Sequence, residues 1–157
     1  MLSYAMEIDV DSVLRMVAAV VFGGAIGFNR DIHGKPTGIR AHALVSLGAA
    51  IVMLAGSGAY IGGNHPDAMS RVIQGIIAGI GFLGAGVILR GSTGMQIYHL
   101  VTASSLWVTT GIGVLCGMGA YLLAGLATVL VLFVLVFGLR LDRWLYGKAG
   151  VQDDDRA

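Results

Sequence analysis

Four histidines, one cysteine and nine carboxylates are the acid–base and metal-binding groups of this sequence, and their placement limits what they can do. Ser104 and Ser105 have no carboxylate near them in the surrounding apolar stretch, so neither has the activating base a nucleophile needs. Cys116 stands alone, so it forms no disulfide within the chain and reports no redox compartment. All nine acids fall outside the long apolar segments. Mg²⁺ favours oxygen ligands, commonly carboxylates, and ion-coupled transporters place Asp, Glu or His inside the bilayer. The expectation is therefore no catalysis, no bound cofactor and no metal site. His42 and His99 fall near one end of their segments, where they are either a proton relay or ligand pair, or simply interfacial. His33 and His65 read as loop residues. The groups left with functional potential are Arg30 and Arg40 with Asn29 and His42, and Thr102, Ser105 and Trp107 further along.

Those residues must be positioned by a scaffold, and composition says which kind. The chain has 157 residues, enough for one domain. It is 56% hydrophobic and 12% charged, against roughly 45–50% and about 25% in soluble domains. Glycine occurs 25 times without a three-residue period, which excludes collagen. A net charge of +1 gives no electrostatic footprint for nucleic acid. With a mean hydropathy of +0.82, the chain reads as an all-α, polytopic membrane protein, with the lipid bilayer as its first partner.

A bilayer core is crossed by about 20 apolar residues. Five segments qualify or nearly so, at 12–28, 41–61, 72–89, 100–116 and 118–139. They predict an extracytoplasmic N-terminus over 1–11, a five-helix domain over 12–139 and a short cytoplasmic tail over 140–157. The N-terminus carries Glu7, Asp9 and Asp11 rather than the basic region of a cleavable signal. With five spans, eight of the ten Lys and Arg residues fall on one side, which predicts N-out, C-in insertion.

At 100° per residue the spans acquire faces. Ala19, Gly23, Gly27 and Arg30 share one face of span one. His42, Ser46, Ala50, Met53 and Ser57 share one of span two. Thr102, Ser105, Thr109, Gly113 and Cys116 line span four. Span three has glycine on two faces, Gly75, Gly79 and Gly86 on one and Gly81 and Gly84 nearly opposite. Small residues let helix backbones approach, so span three is expected to be the central helix. Span five, unbroken apolar over 129–137, is expected at the lipid boundary. The polar stripe of span four is expected either to pack internally or to meet a partner or line a path.

Two stretches are specific. The first is Gly23-Gly-Ala-Ile-Gly-Phe-Asn-Arg30 followed by Lys35-Pro-Thr-Gly-Ile-Arg-Ala-His-Ala-Leu-Val-Ser-Leu-Gly48. The second is Arg71-Val-Ile-Gln-Gly-Ile-Ile-Ala-Gly-Ile-Gly-Phe-Leu-Gly-Ala-Gly-Val-Ile-Leu-Arg90, with Thr102-Ala-Ser-Ser-Leu-Trp107 beyond it. Together they resemble the MgtC/SapB family of bacterial inner-membrane proteins, and specifically its short, SapB-like members. The resemblance implies a five-helix membrane domain linked to growth under magnesium limitation and, in some members, to survival in macrophages. It implies a regulator of ion and ATP homeostasis that meets a partner membrane protein, the ATP synthase by resemblance, and allows a homo-oligomer. The alternative is a small cation (Mg²⁺) transporter or channel. The sequence departs from the pattern at Asn29, where members usually carry Glu, at His99-Leu100-Val101, usually Gly-Leu-Thr or Gly-Leu-Asn, and at Val108, often Cys in the virulence members. The resemblance also sharpens Arg30 and Arg40. They are either topology anchors, or one or both point into the bundle and bind carbonyls or an anionic group.

Overall fold

The computed structural model describes residues 10–57, 66–88 and 99–150. They form five α-helices and no strand: α1 Val10–Ile32, α2 Ile39–Gly56, α3 Pro66–Ile88, α4 Leu100–Gly117 and α5 Tyr121–Gly150. All five are long and apolar enough to cross a membrane. The protein is thus an all-helical, multi-pass membrane protein, as the apolar segments predict. The boundaries shift at most ends: α1 runs four residues past its expected end to Ile32, α2 starts two residues early and its helix stops at Gly56, α3 starts six residues early at Pro66, and α5 starts three residues late at Tyr121. α1 starts two residues before the expected span, and α5 continues as helix eleven residues past it, through Arg140, to Gly150. His65, Arg90 and the acidic residues at 153–155 lie outside the described residues.

The central helix is α4, not α3. Of its spanning window 56% is buried, against 6% for α3, and it alone touches all four other helices. The glycines explain why. On Gly113 an added Cβ would collide with the Ser46 carbonyl oxygen and lie 2.9 Å from Ala49 Cβ. On Gly117 it would lie 2.7 Å from Met53 Cβ. By contrast, Gly75, Gly79, Gly81 and Gly86 have nothing within 4 Å, and Gly84 makes only an ordinary 3.9 Å contact with Ala103. Glycine content permits close approach but does not require it; α3 meets only α2 and α4, and its glycine faces stay open.

The first two helices pack most intimately. A Cβ on Gly23 would sit 2.6 Å from Ser46 Cβ, and one on Gly27 would sit 2.5 Å from Ile39 Cα. The buried core at this crossing contains Ala19, Ile26, Ala50, Ile112 and Cys116, joined by Ala124 of α5. α5 otherwise presents Leu122, Leu126, Leu130, Phe133 and Val134 outward, the lipid-facing arrangement its sequence predicts.

Two polar clamps hold the ends. Asp31, at the end of α1, accepts a hydrogen bond from the Ile39 amide at 3.0 Å. It caps α2, whose own N-cap, Gly38, has no side chain to do so. At the opposite end Arg15 donates to the Gly117 carbonyl at 2.9 Å and pairs with Asp11 at 2.6 Å. Arg15 is thus a tie between α1 and the C-terminus of α4, where a cation also meets the helix dipole favourably.

Candidate functional site

The three small and polar stripes converge. Ala19, Gly23, Gly27 and Arg30 of α1 are all buried, as are His42, Ser46, Ala50 and Met53 of α2, and Thr102, Ser105, Thr109, Gly113 and Cys116 of α4. The glycines draw the backbones together, and the space between them is filled by short hydroxyls, one imidazole and one guanidinium.

Arg30 is only 3% exposed. Its Nη2 donates to Thr102 Oγ1 on α4 and to the Pro36 carbonyl at 3.4 Å in the α1–α2 turn. A buried charge demands such partners, because leaving water costs several kcal/mol, roughly, per ion. One side chain therefore ties α1, the turn and α4. The adjoining backbone is unusual at two points. Thr37, which follows Pro36, has φ 57°, and His99, the N-cap of α4, has φ 67°. Left-handed backbone at non-glycine residues costs about 1–3 kcal/mol and persists where surrounding contacts over-determine it.

His42 is fully buried one turn into α2. Its Nδ1 lies 3.2 Å from the Gly38 carbonyl and its Nε2 3.1 Å from Ser105 Oγ. A carbonyl only accepts, so Nδ1 is the donor in the first contact. Ser105 Oγ also lies 2.8 Å from the Thr102 carbonyl. The Ser105 hydroxyl donates to that carbonyl, and its oxygen faces His42 Nε2. Thr109 donates to the Ser105 carbonyl at 2.8 Å. Ser46 Oγ, wedged where Gly23 and Gly113 pinch α2, is buried with no hydrogen-bond partner.

The remaining candidates lie elsewhere. Arg40 is exposed on the first turn of α2 and does not point into the bundle; of the two arginines only Arg30 does, because residue 30 continues the buried Gly23–Gly27 face while residue 40 lies off the His42–Ser46 face. Asn29 is half-buried, and its carbonyl accepts from His33 Nδ1 at 2.7 Å. Trp107 is 52% exposed on the outer side of α4. The polar stripe of α4 faces inward, toward α1 and α2. His42 is fully buried, whereas His99 is half-buried at the N-cap of α4. Among the described residues no group of three or more His, Cys, Asp or Glu could hold a metal ion. Sequence reasoning missed Arg15 and Asp31 as ties. The i, i+4 spacing of Asp11 and Arg15 was a legible signal for their pairing, but the Gly117 carbonyl was not.

The model for a family described as MgtC family matches residues 16–144. Protein MgtC of Salmonella typhimurium is 42% identical over 120 residues, covering 76% of this chain and 49% of that protein. Protein SrpB of Synechococcus elongatus is 35% identical over 144 residues, 83% of this chain and 78% of its own. The Escherichia coli protein named "Putative magnesium transporter YhiD" is 35% identical over 127 residues, 78% of this chain and 58% of its own. The chain spans about half the length of the MgtC proteins it matches. No solved structure matches. The matched region takes in the Arg30–Thr102 and His42–Ser105 junction, all of α2 and α4, and α1 from its seventh residue on, so the chain belongs to the MgtC family.

Proposed function

We propose that this chain is a non-enzymatic inner-membrane regulator of Mg²⁺ and ATP homeostasis, acting by helix contact with another membrane protein rather than by passing an ion. By family resemblance that partner is the ATP synthase. Insertion is N-out, C-in, with the α1–α2 turn in the cytoplasm, which puts eight of the ten basic residues on that side.

The observation that carries this reading is buried Arg30. The place where the three helices come together, and where a polar path would run, holds a guanidinium and its hydroxyl and carbonyl partners. A divalent cation in a low-dielectric bundle is repelled by such a fixed positive charge. The outer edge of α4, with exposed Leu100, Ser104 and Trp107, remains available for a partner helix.

The second reading, a cation transporter, is favoured by the name of the Escherichia coli relative. Reconstitution in liposomes separates the two. With a Mg²⁺-sensitive dye inside, the expected result is no flux above empty liposomes, for Mg²⁺ or for H⁺. Robust Mg²⁺ flux abolished by substitutions at the Arg30–Thr102 junction would install the transporter reading instead.

A further inference from the structure

α3 leaves a glycine face open. Gly75, Gly79 and Gly86 run along it with nothing within 4 Å. Each glycine in a helix interior costs about 1 kcal/mol relative to alanine, and lipid tails return nothing for it, whereas close backbone approach by another helix does. A stripe of small residues does not identify its occupant. Two further features on α3, at the same depth, do.

The first is a knob. Phe82 is 82% exposed and stands on one flank of the stripe. The second is a hole. On the other flank α2 and α3 part to leave a groove of about 390 Å³, lined by Leu44, Gly48, Val52, Ile76, Ile80 and Leu83 among others, and apolar but for Thr110. Gly48 has nothing within 4 Å. Phe82 and Leu83 project about 100° apart around the helix, with Gly79 between them.

Two copies inserted in the same direction are related by a two-fold axis along the membrane normal, with their α3 helices parallel. Such an axis brings the left flank of one helix against the right flank of the other. It therefore sets Phe82 of each copy opposite the groove of the other, at matching depth, over a glycine seam. A cavity of roughly 150 Å³ already accommodates benzene, so the groove admits a phenyl ring.

We propose that the Gly75–Gly79–Gly86 face of α3 is the seam of a two-fold homodimer in which Phe82 of each copy fills the α2–α3 groove of the other. The interface is isologous, so it closes at two copies. It uses neither the Arg30 junction nor the Trp107 edge, and it stands whether the protein regulates or transports.

The test is oxidative cross-linking of the full chain in membranes. The wild-type protein is its own control, because Cys116 is fully buried. Gly79→Cys should cross-link to a disulfide-linked dimer of this chain. Leu122→Cys, on an outward side chain 90% exposed, should not. In liposomes, energy transfer between labelled copies should show Phe82→Ala weakening dimerisation on the order of tenfold, because the packing contacts of the ring in the groove are lost. Gly79→Leu should do the same. Both variants should keep wild-type helicity by circular dichroism, since both sites are open within one chain. The proposal is overturned if wild-type copies show no energy transfer, if Leu122→Cys cross-links as readily as Gly79→Cys, if Gly79→Cys couples to a different protein, or if Phe82→Ala dimerises as wild type.

Discussion

Arg30 and Arg40 have the same side chain and lie ten residues apart at the same end of the bundle, yet they should respond differently to the same substitution. Arg30 reaches Thr102 and Pro36 from a buried position, and hydrogen bonds to a charged group contribute roughly 1.5–3 kcal/mol. Lysine keeps the charge, but its side chain ends one atom short of Nη2, the nitrogen that meets both acceptors. Arg30→Lys is expected to destabilise the protein by about 2 kcal/mol in reversible unfolding from micelles and to fail in growth complementation under magnesium limitation. Arg40→Lys should stay within about 0.5 kcal/mol of wild type, as exposed substitutions do, and should complement. Equal behaviour of the two would remove Arg30 from the site. Ser46 supplies a second contrast. Its hydroxyl has no partner, so Ser46→Ala should be neutral or slightly stabilising. Ser46→Val should cost about 1–3 kcal/mol by overpacking, because the Cβ region already presses on the Gly23 backbone of α1. The same unfolding assay reads both.

At the scale of elements the contrast is between two glycines with similar sequence surroundings. Gly113 sits where α4 crosses α2, against the Ser46 carbonyl. Gly113→Ala has no rotamer with which to evade the clash and must push two backbones apart. It is expected to lose about 3 kcal/mol or more, since backbone cannot yield as a flexible side chain does. Gly79→Ala meets open space within one chain, so in detergent that keeps the chain monomeric it should gain up to about 1 kcal/mol from helix propensity alone. Thermal melts in detergent of both variants decide the matter; a melting point lowered equally by both would restore α3 to the centre. Helical periodicity placed the buried faces of α1, α2 and α4 on the right residues, because a stripe at 100° per residue is a local property. It put α3 at the centre wrongly, because two open glycine faces and two packed ones look alike until neighbours are assigned.

For the whole molecule, the distribution of basic residues makes a prediction that packing does not touch. A reporter active only in the cytoplasm should work when fused after Ala157 and be silent when inserted near Pro66. Signal at both sites would contradict N-out, C-in insertion. The bundle itself is built asymmetrically. α1, α2 and α4 form a close-packed, polar-centred core, while α3 and α5 are laid on its outside with most of their surface turned outward. Such an arrangement has a rigid part, where Arg30 and His42 sit, and two outer helices whose faces are offered to the membrane.

What the sequence determined by itself was membership in a membrane class, the five spans, the stripes and the family. Each of these follows from composition, from hydrophobic run length or from local motif, none of which depends on a fold being known. The tertiary structure decided which stripes meet. It turned the hydroxyls of α4 inward onto Arg30 and His42, left Arg40 and Trp107 outside, and made α4 rather than α3 the centre. It also bonded Arg15 to a carbonyl 102 residues away. The physical reason is that the order of helices in a bundle is set by pairwise fit between faces. Glycine records where a backbone is able to approach, not which neighbour does so.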